Sequence, residues 1–248
     1  MIMRDLHVHT NFCDGKNSPE EMVIAAIDVG MECIGFSAHS YTFFDESYCL
    51  KKERTDEYKA EINRLKKKYL GRIEILCGVE QDYYSDMPTD GYDFVIGSVH
   101  YLKNGGVYIP VDESRQILCD AVKKYYGGDF YAMAEEYYRT VSNVAGRTNA
   151  DVIGHFDLIS KFNEGNRLFD ESSKRYVHAY RDAVDKLIDY NIPFEINTGA
   201  ISRGYRSVPY PAVPILDYIR KKGGKTILTS DSHSCGTLCY QFDKWENI

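Results

Sequence analysis

Hydrophobic positions recur along the chain in two alternating registers. Short apolar, β-branched runs at Arg4–His9, Cys33–His39, Ile73–Asp82, Phe94–Tyr101, Asp151–Asp157, Phe194–Thr198 and Thr226–Asp231 predict strands. Segments of helical period separate them. Ser18-Pro19-Glu20-Glu21 offers an N-cap serine, a proline at the first helical position and a glutamate at the third, and Gly30 follows the last apolar turn. Thr55–Leu70 is charged and amphipathic and stops at Gly71. Glu113–Tyr126 and Phe130–Gly146 predict two consecutive helices divided by Gly127-Gly128. Ser172–Tyr190 and Pro211–Lys222 complete the set, the latter closed by Gly223-Gly224.

About seven β/α units with no long polar linker predict a single α/β domain over residues 1–248. Such units close most naturally into a parallel barrel with helices outside, an open doubly wound sheet being the alternative. No G-x-G-x-x-G or G-x-x-x-x-G-K-[ST] follows a predicted strand, which removes the usual nucleotide folds.

Composition narrows the partners. A net charge of −7 argues against a broad nucleic-acid surface, so positive charge for an anionic substrate must be gathered locally. The opening M-I-M-R-D-L-H-V-H has no apolar stretch of signal-peptide length and no run is long enough to span a membrane, so a cytoplasmic protein without a membrane partner is expected. Seven irregularly spaced cysteines, Cys235 and Cys239 forming C-x3-C, predict reduced thiols.

The chemistry lies at the strand ends. His7 and His9, Asp14 on the following loop, His39, Glu80, His100, His155, Asp231 and His233 all fall at or near the C-terminal ends of predicted strands. That is the end of a parallel barrel where functional groups meet. Alternation puts His7 and His9 on one face, and Asp231 and His233 likewise if the strand continues that far. A lone strand histidine is more often packed than ligating, but burying nine such groups without partners would cost roughly 1–3 kcal/mol or more apiece. Metal coordination satisfies them. Nine ligands with one bridging carboxylate suit three ions, and mixed imidazole and carboxylate donors favour Zn, Mn or Fe. His178, mid-helix, is structural or solvated. A multinuclear centre suits hydrolysis of a small phosphate ester: a metal-bridging hydroxide is the nucleophile and no separate catalytic side chain is required. Arg203 and Arg206, on the loop after Asn197, are candidate phosphate contacts, because guanidinium binds phosphate oxygens in pairs.

The ordered set H-V-H, D, H, E, H, H, D-x-H resembles the polymerase and histidinol phosphatase (PHP) superfamily. D-L-H-V-H-T-N-F-C-D-G, G-V-E-Q-D-Y, G-S-V-H-Y, G-H-F-D-L-I and E-I-N-T-G are similar to its monofunctional histidinol-phosphatases. The resemblance implies a distorted seven-stranded (β/α) barrel, TIM-like, with a trinuclear site. His7, His9, Glu80 and Asp231 would hold one ion, which Glu80 would bridge to a second held by His100 and His155. Asp14, His39 and His233 would hold the third. The implied reaction is hydrolysis of L-histidinol phosphate in histidine biosynthesis, with Arg203, and less directly Arg206 and Lys161, on the phosphate. Phe12, Tyr41, Phe43, Phe44, Tyr101 and Tyr108 are then candidates to stack on the imidazole, and Asp45, Glu46, Asp112 or Glu113 to bind the ammonium group. Members usually carry a further helix after D-x-H, whereas this sequence runs fifteen residues beyond His233, so either a short last helix or a truncated C-terminus is expected. The residues alone leave open another phosphate ester, such as a nucleotide or phosphotyrosine. A non-enzymatic module would show lost ligands or fused domains, and this sequence shows neither.

Overall fold

The computed structural model describes residues 3–246. β1 (Arg4–Val8) leads to α1 (Pro19–Asp28), β2 (Cys33–His39), α2 (Thr55–Lys68), β3 (Glu74–Asp82) and β4 (Phe94–Ser98). A hairpin of β5 (Tyr101–Asn104) and β6 (Val107–Pro110) follows, then α3 (Arg115–Tyr125), α4 (Phe130–Val141), α5 (Val144–Thr148) and β7 (Val152–Ile153). The remainder is α6 (Lys174–Leu187), β8 (Phe194–Asn197), α7 (Gly199–Ser202), α8 (Val213–Lys221), β9 (Thr226–Thr229) and α9 (Phe242–Trp245). The capping box of α1 forms as its sequence predicts, with Glu21 N–H donating to Ser18 Oγ and Ser18 N–H to Glu21 Oε2.

β1, β2, β3, β4, β7, β8 and β9 make one parallel sheet in that order. Its two edges meet. Val8 bridges Ser232, His9 N–H donating to the Ser232 carbonyl at 2.8 Å and Ser232 N–H to that of His7 at 3.0 Å. The sheet is therefore a nearly closed seven-stranded barrel, not an open doubly wound one. Its lower interior is filled by Leu6, Phe94, Ile96 and Val152. Gly35 and Gly78 leave room for the Phe94 ring, which a Cβ on Gly78 would strike. The β1 register slips between Asp5 and Val8, which lets Leu6 join this layer while its neighbour His7 reaches Glu80. Helices pack outside over two larger cores, one around Phe36, Ile62 and Leu65, the other around Tyr138, Phe156 and Phe194.

Several boundaries differ from the hydrophobic pattern. The fourth strand stops at Ser98, because the Asp82 carboxylate captures the His100 N–H (3.1 Å) and Tyr101 opens the hairpin instead. Only Val152–Ile153 of the 151–157 run pairs as a strand. The 130–146 helix breaks where Ser142 Oγ and Asn143 Nδ2 both donate to the Arg139 carbonyl, in competition with the helical ladder. β9 ends at Thr229, and Asp231 has φ +49°, so Asp231 and His233 come from a loop and not from strand alternation. All seven cysteines are free thiols. Among the described residues no helix is long and apolar enough to cross a membrane.

Candidate metal centre

Glu80, at 1 % exposure, is the centre of the barrel mouth. Its Oε2 faces His39 Nδ1 at 2.7 Å, His7 Nε2 at 3.3 Å and His9 Nε2 at 3.6 Å. Its Oε1 faces His155 Nε2 at 2.8 Å and His100 Nε2 at 3.3 Å. Asp231 Oδ1 approaches His9 Nε2 at 3.2 Å, and Asp14 lies 3.3 Å from His233 Nε2 and 3.6 Å from His39 Nε2. All nine sequence-predicted ligands thus converge, from β1, β2, β3 and the segments that follow β1, β4, β7 and β9. Three groups bring their donor atoms within 4.8 Å of one another: His9, Asp14, His39 and His233; His7, His9 and Glu80; His39, Glu80 and His100. These share His9 and His39 more than the resemblance implies, and His155 and Asp231 adjoin them through Glu80 and His9 respectively.

The donor atoms fit a cation better than they fit each other. His7 Nε2, His9 Nε2, His39 Nδ1 and Glu80 Oε2 are buried, mutually facing, and make no hydrogen bond. Such groups are normally satisfied. Burial, then the positive neighbours His233 and His39, lowers His9 to about 3, which leaves its imidazole neutral with a lone pair to give. Burial alone would lower His7, His39 and His100 as well. Glu195 and Glu80 around His7, Glu80 and Asp14 around His39, and Glu80 and Asp82 around His100 instead raise all three. Against the upward pull of burial, His39, His7 and His100 hold Glu80, and Arg203 and His7 hold Asp231, well below the usual carboxylate range. The carboxylates demand positive charge at neutral pH, and imidazole with carboxylate is a donor set for a borderline divalent cation.

Residues behind the ligands fix them. The buried Glu195 Oε1 bonds His7 Nδ1 at 2.6 Å, and Asp82 Oδ2 meets His100 Nδ1 at 3.2 Å. Cys13 Sγ lies 3.5 Å from His9 Nδ1, and burial foremost pushes its thiol up to about 12, so it stays protonated. Sequence reasoning passes over all three. Glu195 and Asp82 nevertheless carried a signal: each is an acidic residue two positions from another inward polar one, Asn197 and Glu80.

A cavity of about 350 Å³ opens above the ligands, walled by Tyr48, Tyr101, Asp45, Asp112, Lys161, Arg203 and Tyr205. Arg203 lines it as expected, but Nη2 donates to Asp231 Oδ2 (2.8 Å) and Nη1 to the Asp231 carbonyl (3.0 Å). Lys161 also lines it, paired with Asp112 at 3.1 Å. Arg206 does not. It is buried against Asp157 Oδ2 (3.2 Å) and Ser160 Oγ (2.7 Å), because its loop folds back onto that carboxylate, so the expectation of a phosphate contact there is corrected. Of the six aromatic candidates only Tyr101 walls the cavity. Phe12 packs against Tyr58, Tyr41 bonds Glu46, and Phe43, Phe44 and Tyr108 form a cluster of their own beside the mouth. Asp45, Asp112 and Glu113 line it, whereas Glu46 is tied to Lys51. His178 is solvated on α6, beside Asp182.

Fold and site together define an α/β-barrel protein with a histidine–carboxylate cluster at its strand ends that could hold metal ions. The chain belongs to the PHP domain family, whose profile matches residues 5–199. It is 27% identical over 267 residues to the histidinol-phosphatase of Bacillus subtilis, covering 98% of each chain. Its fold is that of a solved protein from Listeria monocytogenes (TM-score 0.83, 21% identity, 98% of this chain and 99% of that one). It is also similar to the histidinol phosphate phosphatase of Lactococcus lactis (TM-score 0.67, 25% identity, 94% and 87% covered), whose crystal structure is a complex with zinc, L-histidinol and phosphate.

Proposed function

We propose that this protein is a metal-dependent phosphomonoesterase that hydrolyses L-histidinol phosphate to L-histidinol and phosphate, with three divalent ions (Zn, Mn or Fe) held by His7, His9, Asp14, His39, Glu80, His100, His155, Asp231 and His233. The observation that carries this reading is the orphaned donor set around Glu80 at the floor of a cavity whose walls bear both cations and aromatic rings. The similarity to the Bacillus and Lactococcus phosphatases supports the substrate. Held by these residues, the ions would supply positive charge to the phosphate oxygens and would lower the pKa of a water nucleophile. Arg203 orients the ester from one side while holding Asp231 in place. Tyr48 and Tyr101 offer ring surface and Asp45 a carboxylate to the imidazole and ammonium end. Tyr101 OH donates to Asp45 Oδ2 at 2.7 Å, which fixes that carboxylate before substrate arrives. Seven free cysteines support a reducing, cytoplasmic setting.

The test is phosphate release by the purified protein with zinc or manganese, across a panel of histidinol phosphate, a nucleotide and phosphotyrosine. Histidinol phosphate is expected to turn over fastest. Rapid hydrolysis of another ester with none of histidinol phosphate would overturn the substrate and keep the centre.

A further inference from the structure

Glu195 is fully buried on β8, and its two oxygens serve different ligands of the centre. Oε1 bonds His7 Nδ1 at 2.6 Å, while Oε2 accepts from the His155 backbone N–H at 2.7 Å and from Asn197 Nδ2 at 3.0 Å. The two histidines meet opposite oxygens of Glu80: His7 Nε2 lies 3.3 Å from Oε2 and His155 Nε2 2.8 Å from Oε1. One carboxylate therefore sets one imidazole through its ring and a second through its main chain. The outer group is built differently. Asp14 and His233 have side chains 34% and 22% exposed, His233 Nδ1 lies 2.9 Å from the Asp231 carbonyl, and none of Asp14, His39 and His233 touches Glu195.

We propose that Glu195 is a positioning residue that couples two of the three metal positions. It holds His7 with Nε2 aimed inward and holds the backbone from which His155 reaches Glu80, so both positions weaken together when it is changed. The outer position at Asp14, His39 and His233 does not. The inference rests on the metal-centre reading above. Hydrogen-bond polarity makes it sharp. In Glu195→Gln, an amide oxygen kept on His155 N–H and Asn197 turns the NH2 toward His7 Nδ1. That nitrogen must then accept, and the ring proton moves to Nε2, where it faces the centre and cannot ligate. The flipped amide sets NH2 against the N–H of His155 and the NH2 of Asn197.

The experiment titrates zinc into chelator-stripped protein against a chromophoric chelator, with the melting temperature of each metal-free form recorded alongside. Wild type is expected to take up three equivalents. Glu195→Gln should keep one at wild-type affinity and bind the other two roughly 10–100-fold more weakly, and Asp14→Asn should show the complementary loss of one. If Glu195→Gln does not fold, Glu195→Asp, which keeps the charge but withdraws it by one methylene, should weaken the same two by a smaller factor. Unchanged affinities in the folded variant, with only a lower melting temperature, would make Glu195 merely structural and overturn the inference. So would weakening of a single equivalent. A wild-type protein that binds no zinc would instead overturn the metal centre itself, and the inference with it.

Discussion

Glu80 uses both of its oxygens against imidazoles from four strands and the loops that follow them, His7, His9 and His39 on one side and His100 and His155 on the other. Glutamine has the same shape, but one oxygen becomes a donor facing nitrogens that must themselves give lone pairs. Glu80→Gln is therefore expected to bind fewer metal equivalents and to release no phosphate above background. Metal analysis with a phosphate assay checks it, and full metal content with normal turnover would remove the bridging role. Arg203 illustrates what the structure adds at this scale. Read from sequence it is a phosphate contact, yet it also neutralises Asp231 through a 2.8 Å pair. Arg203→Ala should raise KM by about 10–100-fold, the equivalent of one charge-assisted contact of roughly 1.5–3 kcal/mol. It should also weaken metal binding. A steady-state assay beside a zinc titration separates the two effects, and a changed KM with unchanged zinc affinity would leave only the phosphate role. The nine candidate ligands were legible because most stand at or just beyond the end of an apolar run, where a polar side chain needs a reason, with Asp14 on the loop after the first of them. Arg206 lies three residues from Arg203 and points to Asp157 instead, a choice made by a loop path that no spacing encodes.

Among the elements, α1, α3 and α4 start on side-chain caps from Ser18, Ser114 and Asp129, and the departures from the pattern lie where side chains interrupt a ladder. The β5–β6 hairpin is the costliest omission, since it places Tyr101 and Pro110 on the cavity wall. Apolar positions continue past Ser98 at Val99 and Tyr101, so the pattern alone joins two strands into one. Asn104-Gly105-Gly106, whose glycines adopt φ +54° and +87°, was the available turn signal. The docking of α1 on α2 carries a prediction. Glu20 accepts from Lys68 Nζ, Arg64 Nη2 (2.7 Å) and Tyr69 OH (2.9 Å), and those bonds, Lys68 first, lower its pKa to about 2. A carboxylate depressed in the folded state contributes stability above its ordinary pKa and loses it as pH falls toward the folded value. The cluster is solvent-screened, so the contribution is at most about 1 kcal/mol, or roughly 2–4 °C in melting temperature. Glu20→Gln should show that deficit at neutral pH. The gap should narrow in high salt and as pH drops below the ordinary carboxylate range, and thermal melts across pH check both. A deficit that ignores pH and salt would mean packing, not charge, ties the two helices.

At the scale of the whole molecule, the order of β/α units already required parallel strands, but closure into a barrel depends on contacts between residues 225 apart in sequence. Nothing local announces that seam, which is why barrel and open sheet could not be separated by pattern alone. Asp5 joins it: its carboxylate accepts from Ser230 N–H at 3.1 Å, Ser230 Oγ and Cys239 N–H at 3.3 Å, all beneath the Val8–Ser232 bridge. The ligands straddle the same line, His7 and His9 from the first strand, Asp231 and His233 from the segment after the last. Closure and metal binding should therefore fail together. Asp5→Ala leaves buried donors unpaired, at a cost of roughly 1–3 kcal/mol apiece. It should lower the melting temperature of the metal-free protein and also reduce the further rise that zinc gives the wild type, because ions bind only where both edges are held in register. A core truncation far from the seam, Leu187→Ala in α6, removes a fully buried side chain and should cost about 2–5 kcal/mol. Its zinc-induced rise should nevertheless remain that of the wild type. Melts of the three proteins with and without zinc decide the matter: if Asp5→Ala loses stability yet gains as much from zinc as Leu187→Ala does, the seam closes the barrel without aligning the ligands.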